Sequence, residues 1–224
     1  MLIIPNFNTI GSGAARGGGG APPFEYTAIA NNYSMTFDGT NYIDTGAIDL
    51  GETNTISFWF KNNSANTGNA IIGDANDNVV YFQSSNLYYY PTGSITGRKL
   101  FSSTNIANAM ADTTNWHNII FIRKAPTNET SGYNDLACYL DGNLEGTFAD
   151  VYTANINLIP VYIGKSGTGF PLYNGLIDEV AYWNTALSED TIEGIYNTTN
   201  DNPGKVANLT ETPEGAPIAW YRFE

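Results

Sequence analysis

The chain predicts an all-β sandwich in one large domain behind an extended arm, and three observations carry that expectation. Short runs of alternating apolar and polar residues follow one another from Phe24 to the end, the period of half-buried strands. Turn pairs such as Asp38-Gly39, Asp141-Gly142 and Ser166-Gly167 separate the runs. Helical patterns never alternate with strands at the spacing of a strand–helix–strand unit, which argues against a parallel α/β sheet.

The arm comes first. In residues 1–23 the stretch "IGSGAARGGGGAPP" is dominated by glycine, whose ordering costs the most backbone entropy. Before it lies an apolar tip, Leu2, Ile3, Ile4 and Phe7, which reads as an anchor into another protein. The tip has no basic flank and breaks at Pro5, so a secretory signal is not expected. No later run approaches the length of a membrane span.

The domain, residues 24–224, then reads as strands at 24–30, 33–37, 41–45, 55–61, 70–73, 79–83, 87–90, 116–124, 136–140, 144–148, 161–164, 176–183 and 218–223. The clearest hairpin is "CYLDGNLEG", with Asp141-Gly142-Asn143 as its turn. In "LIDEVAYW" alternation places Ile177, Glu179, Ala181 and Trp183 on one face and Leu176, Asp178, Val180 and Tyr182 on the other. Both faces are largely apolar, as in a central strand covered on both sides. The same alternation sends the Asp178 and Glu179 carboxylates to opposite faces. Ser188 follows as a helix N-cap, with Glu189 and Asp190 in the first turn where the helix dipole favours negative charge. Ile192, Ile195 and Tyr196 fall at helical spacing, so a short helix docks one apolar stripe on the sandwich before Asn197 and Pro203-Gly204 end it.

Composition narrows the partners. Against 22 acidic residues stand only nine basic ones, a net charge of −13, so neither nucleic acid nor an anionic membrane is an expected partner. Cys138 is the only cysteine and sits in the apolar run "LACYL", the setting of a buried, inert thiol. His117 is the only histidine, which leaves catalytic triads and His-based metal sites little to work with.

These segments, in this order, resemble the concanavalin A-like lectin/glucanase superfamily, in its laminin-G-like and pentraxin-like branch. "YSMTFDGTNYIDTG" (33–46) resembles the opening strand pair of that family, "TISFWFK" (55–61) its third strand and "WHNIIFIRK" (116–124) its Trp-His strand. "CYLDGNLEG" (138–146) and "YIGKSG" (162–167) resemble the hairpin and strand that come next. "GLIDEVAYWNTALSEDTIEGIYN" (175–197) looks like the strand–turn–helix near the end, and "PIAWYRFE" (217–224) like the closing strand. The resemblance covers about residues 24–224 and implies a two-sheet antiparallel jelly-roll sandwich.

The chain departs from the glucanase branch, whose Glu-x-Asp-x-x-Glu strand sets two carboxylates around the scissile bond. That spacing is absent, so a non-enzymatic role is expected. Many relatives bind calcium at a sandwich edge, which makes Asp38 and Asp178 candidate ligands because both lie in matching segments. Asp74 and Asp77, close together in "GDANDN", are further candidates, without the Glu that closes an EF-hand loop. The alternative for each is an Asx-turn, in which the carboxylate accepts from its own backbone. In "NLYYYPTG" Tyr88 and Tyr90 share a face opposite Tyr89 and are candidates for stacking on a sugar, with core packing as the alternative.

Two roles follow. One is a bacteriophage virion protein, a capsid decoration or a head or tail fibre component, anchored through its arm to other virion proteins. It would sit on the virion surface, outside the cell after lysis, as a homo-oligomer. A surface-type composition without an export signal is the reason. The alternative is a carbohydrate-binding module, with or without calcium, for host or environmental glycans.

Overall fold

A computed structural model describes residues 26–64, 69–77, 79–90, 99–124, 134–149, 159–167, 169–202 and 204–223. The arm and its tip, Leu2, Ile3, Ile4 and Phe7, lie outside the described residues. Fifteen strands and two α-helices are present among those described, and the named strands all pair antiparallel.

A seven-stranded sheet is built from β2 (Met35–Asp38), β4 (Asn54–Asn62), β9 (His117–Arg123), β10 (Asn134–Leu140), β11 (Asn143–Ala149), β13 (Asn174–Trp183) and β15 (Ala219–Tyr221). Its order is β11-β10-β9-β4-β13-β15, with β2 also paired to β13. A six-stranded sheet runs β3 (Ile43–Asp44), β12 (Tyr162–Ile163), β5 (Ala70–Gly73), β6 (Val79–Gln83), β7 (Asn86–Tyr90) and β8 (Lys99–Phe101). The two sheets form the expected jelly-roll sandwich.

Alternation fills the space between them. Ile56, Phe58 and Phe60 of β4 and Ile119 and Phe121 of β9 meet Val80, Phe82, Leu87 and Tyr89 from the other sheet. Cys138 is buried in the same core. The opposite parity of the seven-stranded sheet, including Ile120, Ile122, Ala181 and Trp183, forms a second cluster beneath a helix.

That helix, α2 (Glu189–Asp201), begins where the sequence places it. The Ser188 hydroxyl accepts from the Thr191 amide at 3.3 Å, satisfying one of the free N–H groups of the first turn. It buries Ile192 and Ile195 and runs past Asn197 to Asp201, because Thr198 and Thr199 also face the sheet. Beside it β1 (Ala28–Ala30) pairs with β14 (Lys205–Ala207) over the same face. The sequence reading did not foresee β8, β14 or helix α1 (Thr104–Ala111). The cap of α1, Ser103, and its buried Ile106, Ala109 and Met110 nevertheless follow ordinary helical rules.

One expectation for β13 is corrected. A bulge between Asp178 and Ala181 inserts an extra residue, with Glu179 at φ 52°. Parity therefore shifts within the strand. Ile177 joins Val180 and Tyr182 in the inter-sheet core, while Ala181 and Trp183 turn to the helix side.

Candidate functional site

The two outer faces of the sandwich differ, and the one without a helix carries the candidate site. In the six-stranded sheet Ile43, Ile163, Ile72, Val80 and Tyr89 point inward, so their strand neighbours point out. The outward set is rich in tyrosine. Tyr42 meets Tyr162 edge-to-face with centroids 5.5 Å apart at one edge. Tyr81 stacks on Tyr88 at 4.7 Å, and Phe170 covers Tyr81 at 4.7 Å and Tyr90 at 6.4 Å.

Between these two groups a loop after β12 crosses the sheet, and Gly73 lets it approach. A Cβ on Gly73 would stand 2.5 Å from the Ser166 Cβ and 2.7 Å from the Lys165 carbonyl oxygen. The Gly167 amide donates to the Asp74 carbonyl at 2.7 Å, and the Ala70 amide to the Pro171 carbonyl at 3.0 Å. So fixed, the loop sets the Lys165 ammonium 4.0 Å from the Tyr42 ring centre and 4.7 Å from that of Tyr162, within cation–π range of both. Tyr42 remains 43% exposed.

Tyr88 and Tyr90 do share the outward face, and Tyr89 lies in the core. Each of the two is only 8% exposed, and one ring face of Tyr88 is occupied by Tyr81. The four carboxylates named as calcium candidates occupy different hydrogen-bond sets. Asp38 accepts from the Thr40 hydroxyl at 2.6 Å and amide at 2.8 Å, and these bonds lower its pKa. Asp74 accepts from the Asn76 amide at 2.7 Å and Asp77 from the Gly169 amide at 3.2 Å. Among the described residues no group of three or more His, Cys, Asp or Glu side chains converges to hold a metal ion. The candidate carboxylates among the described residues therefore do not converge in one cluster.

Asp178 has a different setting. Strict alternation separates it from Glu179, but the bulge turns both carboxylates to one place. The Asn31 amide nitrogen donates to Asp178 Oδ2 at 2.8 Å and to Glu179 Oε1 at 2.9 Å. The Trp220 indole N–H donates to Glu179 at 2.6 Å, Arg222 Nε lies 3.4 Å from Glu179, and Arg222 also donates to the Ala30 carbonyl. Burial pushes Asp178 up to about 6, and burial with the neighbouring Asp178 charge pushes Glu179 up to about 8. Burial and the mutual charge of the two carboxylates thus both favour their protonated forms. It ties the chain around Asn31 and the last strand to β13, which is a structural task.

His117 is likewise built in. Its Nδ1 lies 2.7 Å from Asp141 and its Nε2 3.5 Å from Asp112, joining the β10–β11 turn to the end of α1. Burial works to lower its pKa, but the bond and charge of Asp141 with the charge of Asp112 raise it.

The residues that sequence reasoning missed are Tyr42, Tyr162 and Lys165. Alternation in "NYIDT" and "VYIG" gives the outward direction of both tyrosines. Only the pairing of Tyr162 with Asp44, across more than half of the chain, brings them together.

A two-sheet antiparallel sandwich of this topology is the fold of lectin-like domains. The family model for concanavalin A-like lectin/glucanases, Laminin_G_3, matches residues 37–193, and the chain belongs to that superfamily. Among solved structures it is similar to a heptameric SAP-like pentraxin from Limulus polyphemus, at 18% identity and a TM-score of 0.56, covering 83% of this chain and 90% of that one. A Bacteroides ovatus protein provisionally described as carbohydrate-binding gives 13% identity and a TM-score of 0.54 over 89% of this chain and 52% of its own. The binding domain of Paraclostridial Mosquitocidal Protein 1 gives 14% and 0.53 over 80% and 47%. At these identities the likeness establishes the fold. No curated protein sequence matches the chain.

Proposed function

We propose that the chain is a non-enzymatic display protein: a lectin-like domain, held by its N-terminal arm on the surface of a bacteriophage virion, that presents the tyrosine-lined face to glycans. The observation that carries this reading is the open Tyr42–Tyr162 platform on the outer face of the six-stranded sheet. An exposed tyrosine ring packs against pyranose C–H groups, while polar groups at its rim fix orientation. The platform faces away from α2. Tyr26, the first described residue, lies on the α2 side, its amide donating to the Thr198 hydroxyl at 3.3 Å. An arm preceding Tyr26 and a glycan face on the far sheet suit a domain that is anchored behind and reads in front.

Screening the intact chain on a broad array of polysaccharides tests the glycan half. Binding is expected, with loss in Tyr42→Ala at unchanged thermal stability, and it should survive EDTA because the proposed contact is ring stacking. An empty array overturns this half. Deleting residues 1–20 tests the other half: the domain should stay folded, while incorporation into the particle and any defined oligomer seen by light scattering are lost. Normal incorporation of the truncated chain overturns the anchor.

A further inference from the structure

The platform has a charge as well as a ring. Lys165 Nζ stands over both tyrosines, at 4.0 and 4.7 Å from their centres. Among the described residues no carboxylate pairs with it, although acidic side chains outnumber basic ones 22 to nine in the chain. The backbone that carries Lys165 is fixed, because buried Ser166 beside it is seated on Gly73 and the following amide is bonded to Asp74. The rings attract the cation through their quadrupoles but accept no hydrogen bond from it comparable to an anion's. Among the described residues its N–H donors meet no carboxylate within ion-pair distance.

The neighbouring acid sets an orientation. Asp44 pairs with Tyr162 across β3 and β12 and is exposed, one carboxylate oxygen taken by the Gly46 amide at 3.0 Å. A ligand on Tyr42 therefore meets a cation toward Lys165 and an acceptor toward Asp44. The net charge of −13 does not forbid an anionic ligand, since charges beyond about 8 Å are screened at physiological salt.

We infer that the Tyr42–Tyr162–Lys165 clamp takes a carboxylate-bearing sugar, its ring C–H face on Tyr42, its carboxylate on Lys165 Nζ and its hydroxyls toward Asp44. This rests on the glycan-binding reading above and adds the ligand class. Uronic and sialic acids share that chemistry, and the experiment separates them.

Calorimetric titration of the intact chain with oligogalacturonate and with sialyllactose, against neutral galactose oligomers and lactose, provides the test. One acidic probe should bind about tenfold tighter than its neutral counterpart, the scale of one charge-assisted contact. That advantage should disappear in Lys165→Gln, and it should shrink toward 1 M salt, where the screening length is about 3 Å. Whichever acidic probe shows it names the source. If acidic and neutral probes bind alike and both are lost in Tyr42→Ala, charge selection is overturned and the platform stands. If neither the probes nor any array glycan binds, the platform itself is overturned. Thermal unfolding of Lys165→Gln, expected to match the parent chain, shows that the variant is folded.

Discussion

The two outer faces of this sandwich are made from the same alternating strands yet end in opposite states. On the seven-stranded sheet the outward residues are Ile120, Ile122, Ala181 and Trp183, and α2 with the β1–β14 ribbon seals them. On the six-stranded sheet they include Tyr42, Tyr162, Tyr81, Tyr88 and Tyr90, whose hydroxyls tolerate water, and a loop crosses them. Aromatic residues lie on both faces, Tyr139 and Trp183 under the helix and Tyr81, Tyr88 and Tyr90 under a loop, so the faces differ in what covers them. Stability should accordingly reside on the sealed face and recognition on the open one.

The strongest way to break this contrast is Ile192→Ala. Ile192 is fully buried between α2 and the sheet, and its loss should cost about 2–5 kcal/mol, read as a lower denaturant midpoint. Glycan binding measured well below the new midpoint should be unchanged.

The acid pair gives the next effect. Asp178 and Glu179 have folded pKa values, about 6 and about 8, above those of unfolded carboxylates. The native state then holds more protons than the unfolded chain between roughly pH 4 and 8, so stability is full at the acid end and falls as pH rises through that window. Urea midpoints across this range should show the decline, and Glu179→Gln should flatten it. A midpoint that instead rises with pH there would rule out the raised pKa values.

Tyr42→Ala should do least to the fold. Exposed at one edge, it should change stability by no more than about 0.5 kcal/mol while abolishing binding. A large stability loss would mean that the platform is structural and that the two faces are not so different.

Much of this was legible in advance. The helix start at Ser188, the inward Tyr89, the buried Cys138 and most strands follow from periods of two and 3.6 residues and from capping chemistry, which act over a few neighbours. Helix α1 was not foreseen, although Ser103 with Ile106, Ala109 and Met110 is an ordinary amphipathic pattern. Nor was the bulge. Its geometry depends on how Trp59 and Ser57 of β4 pair across β13, with β2 and β15 on the strand's other side, and no local pattern encodes that register. For that reason alternation put Asp178 and Glu179 on opposite faces when Asn31 holds them together.

Alternation, capping and composition are local properties, and they set the layer architecture, the helix-covered face and the acidic, glycine-rich-armed character of the chain. The tertiary structure alone decided which tyrosines stand open. Tyr90 lies against Phe170 and Tyr88 stacks on Tyr81, whereas Tyr42 stays 43% exposed beside Tyr162 and Lys165. Both outcomes depend on one loop lying across Gly73, a contact between segments far apart in the chain, which only the assembled sheet can bring together.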